Sequence, residues 1–430
     1  MPAIARLSAL EILDSRGRPT VQTTCRLATG AVGTASVPSG ASTGSAEAHE
    51  LRDGDPGRYG GLGCRLAVNH VEIEIGDAVQ GRQLDTQHQL DALLSELDGT
   101  EGLSRLGANA VLSVSMAFAR AVASERGVPL YQHFADLLGI GHQPTALPRP
   151  TVNLFSGGKH AGEQMELQDV LVVANGAGSI DEAMAMTYAV FQAAAELIRV
   201  RYGMRLLVAD EGGLAPDFGS VEEALDLAVE AIGAAGLRPG DDVSLCIDVA
   251  ASHFRVNGRY AIGGRMLDAA GMVALISRWV EEFPIVSVED GLAEDDWANW
   301  PLLRESLAGN ALTLGDDLLT THPARIERAI REQAADALLL KVNQIGTVSE
   351  AERALRLARE AGWAVVVSAR SGETEDDWLS DLAVGWGGEA LKVGSITRSE
   401  RLAKWNRLLA IERETGLAVT SWPGNRFSTG

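Results

Sequence analysis

The chain has 430 residues, too many for one ordinary core, so two domains are expected, one of a size to form a barrel. Asp and Glu outnumber Lys and Arg by 58 to 37, a formal net charge of −21. That balance disfavours nucleic acid and anionic lipid, yet leaves an anionic substrate open, because bound metal ions reverse the sign locally.

The N-terminal run MPAIARLSALEI lacks the cationic stretch and long apolar core of a signal peptide. No apolar stretch approaches the ~20 residues that cross a bilayer. A cytoplasmic location is therefore expected. Val21 to Leu27 alternates apolar and polar residues, and Ala31 to Val37 follows a Thr29-Gly30 turn, which is a hairpin signal. Helical patterns follow, the clearest carrying Asn109, Val111, Leu112, Val114, Ser115 and Ala119. Residues 1–135 read as a mixed α+β domain. The Gly- and Pro-rich stretch from Gly139 to Pro150 reads as a linker, and residues 145–430 as a second domain. Cys25, Cys64 and Cys246 show no CxxC spacing and read as buried small hydrophobes.

Helix and strand patterns alternate beyond the linker. Ser179-Ile180-Asp181-Glu182 and Ser220-Val221-Glu222-Glu223 are capping boxes, and the second helix should stop near Gly236. Short apolar runs then end in polar residues. Val243 to Ile247 leads to Asp248, Ile285 to Val288 to Glu289, and Leu312 to Leu314 through Gly315 to Asp316. Ala337 to Leu340 leads to Lys341, Ala364 to Val367 to Ser368 and Arg370, and Ala390-Leu391 to Lys392. Most of these polar ends lie about 25 residues apart, the length of one strand-plus-helix unit. Buried parallel strands alternating with helices predict an α/β barrel, whose strand ends converge on one mouth.

Three carboxylates without His or Cys partners, Asp248, Glu289 and Asp316, suit Mg²⁺ better than zinc. A single such acid more often caps the following helix; three on separate strands beside lysines favour a metal site. Lys341 and Lys392 would lie partly desolvated. Burial and metal charge would lower their pKa and let one act as a base, and a salt bridge to the acids is an equal alternative. Three further stretches are weak when read alone. Ala209-Asp210-Glu211-Gly212-Gly213 reads as a plain loop, Ser39 to Gly44 as a flexible turn suited to closing over a phosphate or metal, and His160 as a structural histidine.

Many ordered runs, taken together, carry a family resemblance. They include 11–17 (EILDSRG), 37–44 (VPSGASTG), 50–55 (ELRDGD), Gly157-Gly158 with His160, and Asp210 to Gly213. Later come 248–252 (DVAAS), Glu289-Asp290, 294–297 (EDDW), 315–318 (GDDL), 341–347 (KVNQIGT), 370–376 (RSGETED) and 398–404 (RSERLAK). Over essentially its whole length the chain resembles the enolase family. The resemblance implies an enolase-type (β/α)8-like barrel that departs from regular order, with a smaller α+β N-terminal domain. It further implies a homodimer or larger oligomer, two Mg²⁺ ions and dehydration of 2-phosphoglycerate to phosphoenolpyruvate in glycolysis. Position by position, Lys341 would be the base at C2 and Glu211 the acid at the leaving hydroxyl. Asp248, Glu289 and Asp316 would hold one Mg²⁺, and Ser42 would reach the other. Lys392 and Gln168 would serve the substrate carboxylate, Arg370 and Ser371 the phosphate, and His160 would line the cavity.

Two departures stand out. Enolases usually read Ser-His-Arg-Ser where this chain reads Ser368-Ala369-Arg370-Ser371, and Gln-Glu-Phe where it reads Gln168-Asp169-Val170. The acid supporting the leaving hydroxyl, Asp169, is one methylene shorter. Smaller changes are Gly291 for the usual Pro, and Val393 with Ile396-Thr397 for the usual Thr and Ala-Pro. Three functions follow: an enolase; an enolase-like lyase for a phosphate-modified analogue, of which carboxyphosphonoenolpyruvate synthases of phosphonate pathways look like the nearest example; and a non-catalytic relative with a binding or structural role. Retention of the lysines and all three metal acids weighs against the last. No nucleic-acid or membrane partner is expected, and a secondary cell-surface or secreted pool stays open.

Overall fold

The computed structural model describes residues 2–41, 43–203 and 207–422. The chain opens on an antiparallel meander of β1 (Ile4–Leu13), β2 (Pro19–Leu27) and β3 (Val32–Ser36). The expected hairpin is the β2–β3 pair, turned at Gly30 with φ +93°. The first strand, β1, lay outside the sequence reading. The clearest helical pattern is the helix Ala108–Arg126, which lies across β2 and β3. Gly33 permits this contact, because a Cβ there would stand 2.2 Å from both Ala117 O and Ala121 N of the helix backbone.

The rest of the chain builds a closed eight-stranded barrel. Its strands are β4 (Arg149–Ser156), β5 (Asp169–Val173), β6 (Ser244–Asp248), β10 (Ile285–Glu289), β11 (Leu312–Gly315), β12 (Ala337–Leu340), β13 (Ala364–Ser368) and β14 (Ala390–Gly394). The long interval between Asp248 and Glu289 houses a separate small sheet, β7 (Arg255–Val256), β8 (Arg259–Ile262) and β9 (Arg265–Leu267). All six strands read from the sequence are present and pair in parallel. The two unread strands complete the ring. β4 joins β14 in parallel, while β5 runs antiparallel to both β4 and β6. The stretch read as linker ends early, since Arg149 and Pro150 already pair with Ala390 and Leu391.

Both capping boxes form. Ser179 Oγ accepts from Glu182 N at 3.0 Å and starts the helix Ile180–Tyr202; Ser220 Oγ accepts from Glu223 N at 3.1 Å and starts Val221–Ala234. Inside the barrel, Leu171, Cys246, Leu314, Leu339, Val366 and Ala390 form one apolar cluster. Side chains alternate along a strand, so the residue two positions on faces the same interior. Those residues are Asp169, Asp248, Asp316, Lys341, Ser368 and Lys392. The apolar layer thus hands over to a charged layer at the mouth.

The N-terminal domain docks beside that mouth. Ser39 and Gly372 exchange backbone hydrogen bonds of 2.8 and 2.9 Å, and Ser36 N donates to Asp376 Oδ2 at 2.8 Å. Cys25, Cys64 and Cys246 are buried and unpaired. Among the described residues, no helix is long and apolar enough to cross a membrane.

Candidate active site

His160, Gln168, Glu211, Asp248, Lys341, Ala369, Arg370, Ser371 and Lys392 line one cavity of about 20 Å³ at the barrel mouth. Glu289 and Asp316 are each engaged by a lysine that lines it. Lys392 Nζ bridges Asp248 Oδ2 at 2.9 Å and Glu289 Oε2 at 2.6 Å, and Lys341 Nζ meets Asp316 Oδ2 at 2.5 Å. Sequence placed these groups on separate strands around one mouth; in the barrel Glu289 stands opposite both Asp248 and Leu314. Ser42 lies outside the described residues.

The lysines show the salt-bridged alternative. Burial pushes the Lys341 ammonium down, but Asp316 beside it, with help from Glu289, leaves its pKa raised. Burial also opposes Lys392, and Asp248 and Glu289 raise it well above the usual lysine range. Burial works against the Asp248 carboxylate too, yet Lys392 draws it down to about 2. Glu289 goes the other way: burial and the nearby Asp248 push it well up. Among the described residues its buried Oε1 has no hydrogen-bond partner, nor has Gln168 Oε1, while Gln168 Nε2 donates to Asp248 Oδ2 at 3.0 Å.

Asp316 has support that the sequence reading missed. Asp290, at φ +44°, accepts the backbone amides of Asp316 at 2.9 Å and Asp317 at 2.7 Å. Those two bonds hold the strained left-handed backbone in place. Gln344 Nε2 donates to Asp316 Oδ1 at 2.8 Å. Ligand atoms of Asp290, Asp316 and Asp317 lie within 4.8 Å of one another, as do those of His160, Asp169 and Glu211. Buried acids at this density carry the hard oxygens that a divalent cation takes.

On the opposite side, His160 Nδ1 bonds Asp169 Oδ2 at 2.9 Å, and its Nε2 lies 3.8 Å from Glu211 Oε1. Asn153 Nδ2 reaches both acids, at 2.8 Å to Asp169 and 3.0 Å to Glu211. Burial disfavours the imidazolium, but Asp169 and then Glu211 more than offset that and push His160 up to about 9. Burial raises Asp169 despite His160, whereas His160 and Arg401 overcome burial and lower Glu211. The Glu211 turn is pinned by β14. Ser395 N donates to Glu211 O at 2.9 Å, and Gly394, at φ +110°, leaves room where a Cβ would stand 2.9 Å from that oxygen.

Arg370 pairs with Glu47, Nη1 to Oε2 at 2.9 Å and Nη2 to Oε1 at 3.1 Å, and donates from Nη1 to Asn343 Oδ1 at 3.1 Å. Burial alone would lower it; Glu47 raises it instead. Ser371 Oγ accepts from Ala41 N at 2.7 Å and Arg16 Nη1 at 3.2 Å. Buried Arg401 donates to the carbonyls of Arg370, Ser371 and Val393. Glu47, Arg16, Asn153 and Arg401 were not singled out from the sequence. Arg16 and Arg401 do sit in the quoted runs, and Glu47 beside them, which was the available signal.

The arrangement is a barrel mouth carrying buried acids, two lysines and an arginine around one small cavity. It can bind a polyanion and stabilise charge that develops on it. A family model described as "Enolase, C-terminal TIM barrel domain" matches residues 144–429, and one described as "Enolase, N-terminal domain" matches residues 4–134. The chain belongs to the enolase family, whose members are typically hydro-lyases.

Proposed function

We propose that the protein dehydrates 2-phosphoglycerate to phosphoenolpyruvate. The observation carrying this reading is that Lys341, Glu211, Lys392 and Arg370 share one cavity. Residues 1–135 would cap a catalytic domain of residues 145–430, in a cytoplasmic homodimer or larger oligomer.

Asp248, Glu289 and Asp316 would hold Mg²⁺, and Ser42 a second ion. Their all-oxygen donors, and a Glu289 Oε1 with no partner among the described residues, support that fit. Bound there, the cations would stabilise the second negative charge that builds on the substrate carboxylate. Lys341, once Asp316 is otherwise engaged, loses the partner that keeps it charged. Arg370 and Lys392 nearby then favour its neutral, basic form, and it takes the C2 proton. Lys392 and Gln168 hold the substrate carboxylate. Glu211 delivers a proton to the departing C3 oxygen, with His160 and Asp169 on the same side. Arg370 and Ser371 hold the phosphate.

Ala369 favours a second reading. It lines the cavity beside Arg370, where the family usually carries a histidine, so a substrate with an added group on phosphorus gains space. Steady-state formation of phosphoenolpyruvate with Mg²⁺, with Lys341→Ala as the blank, tests the first reading. Negligible turnover alongside exchange of the C2 proton with solvent would instead favour the second.

A further inference from the structure

The side-chain hydrogen bonds of Asp169 run to Asn153, Ser156 and His160. It is wholly buried and absent from the cavity lining. Its Oδ1 accepts from Asn153 Nδ2 at 2.8 Å and Ser156 Oγ at 2.6 Å, and its Oδ2 meets His160 Nδ1 at 2.9 Å. Both carboxylate oxygens are thus engaged by the chain's own groups. His160 does line the cavity, and its Nε2 stands 3.8 Å from Glu211 Oε1.

We infer that Asp169 is a positioning residue that acts through His160: it holds the ring as an Nδ1–H donor, so that Nε2 faces Glu211 and supplies the proton Glu211 passes on. The inference rests on the reading of the site proposed above. When the C3–O bond breaks, its electron pair leaves with the oxygen, which takes the proton of Glu211 and departs as water. The pair left at C2 by proton removal becomes the new double bond. The proton that Glu211 passes on reaches it from His160 Nε2–H, so Glu211 ends as the carboxylate it was and the ring ends neutral with Nδ1–H still on Asp169. Ser156 and Asn153 fix the carboxylate, and an aspartate's short side chain matches a role directed at the imidazole and not at the substrate. The ring is thereby held in one tautomer, which a histidine anchored on one nitrogen requires.

A double-mutant cycle tests this. Asp169→Asn should lower kcat by about tenfold or more while KM moves by less than about twofold, as expected when an interaction made during reaction is lost. In a His160→Gln background the same change should cost less than about twofold, because the partner it acts through is gone. Effects that multiply would overturn the inference. Ser156→Ala, which touches nothing in the cavity, serves if Asp169→Asn folds poorly: about threefold in kcat is expected, and none in the His160→Gln background. A direct readout needs no substrate. The Nδ1–H resonance of His160, assigned by its loss in His160→Gln, should disappear or move in Asp169→Asn, and an unchanged signal would overturn the inference. If the wild-type protein fails to turn over 2-phosphoglycerate, the functional reading fails, and the resonance still decides the pairing.

Discussion

The two sides of the cavity are built by different chain geometry. On one side, Asp248, Glu289, Asp316, Lys341 and Lys392 stand at or just beyond the last inward-facing positions of parallel strands. On the other, His160 comes from the connection between β4 and the reversed strand β5, Asp169 from the first position of β5, and Glu211 from a turn pinned to β14. The first side neutralises itself with direct ion pairs between strands. The second is a hydrogen-bonded chain of Ser156, Asn153, Asp169, His160 and Glu211. Both family-position departures that matter most, Asp169 and Ala369, fall outside the first set. On the proposed reading, strand ends hold the groups for proton removal, and both departures lie around the leaving group and phosphate.

The sharpest way to break this comparison is Lys341→Ala. Turnover should fall on the order of 10⁴-fold without loss of fold, the upper end for a general base. Residual activity within tenfold of wild type, measured at steady state, would move the essential base elsewhere. Next in size is the pH response of the second side. His160 has a folded pKa of about 9 against an unfolded value near 6.5. Its contribution is therefore fully present below pH 6.5 and lost as pH rises to 9, about 3 kcal/mol in all. Denaturation curves should fall more steeply over that window for wild type than for His160→Gln. Metal linkage probes the first side. Mg²⁺ at about a hundred times its Kd should stabilise the fold by about 2.7 kcal/mol. Glu289→Gln should lose most of that gain, as a shift in melting temperature after dialysis against chelator. The smallest effect is expected of Ala369→His, which should change turnover of 2-phosphoglycerate by no more than about tenfold. It should depress turnover of any analogue bulkier at phosphorus, and an improvement there would sink the space argument.

The same division explains what was legible. Parallel strands buried on both faces read as apolar runs, so β6 and β10 to β14 stood out with their terminal polar residues. In β4, Thr151, Asn153 and Ser156 interrupt the apolar pattern, and β5 reverses direction, so its functional residue comes first and not last. Gln168 and Asp169 could be placed only through the family resemblance. Asp290, Gln344 and Arg401 stood inside the quoted runs with no role assigned, because they support the site by bonding backbone or other side chains, and partnerships across more than twenty residues leave no local spacing. The raised lysines had the same origin: strand-end placement put them near acids, but which acid each would grip depends on the barrel's register.

The reversal of β5 has one more consequence. In a barrel wound regularly, neighbouring mouth residues are separated in sequence by a whole strand and helix. Here the hairpin from Asn153 to Asp169 places four members of the hydrogen-bonded chain in one short peptide. That peptide is a transplantable cassette. Exchanging it between relatives would replace three of the four links in a single cut, and the ion-paired strands around the rest of the ring would keep their register.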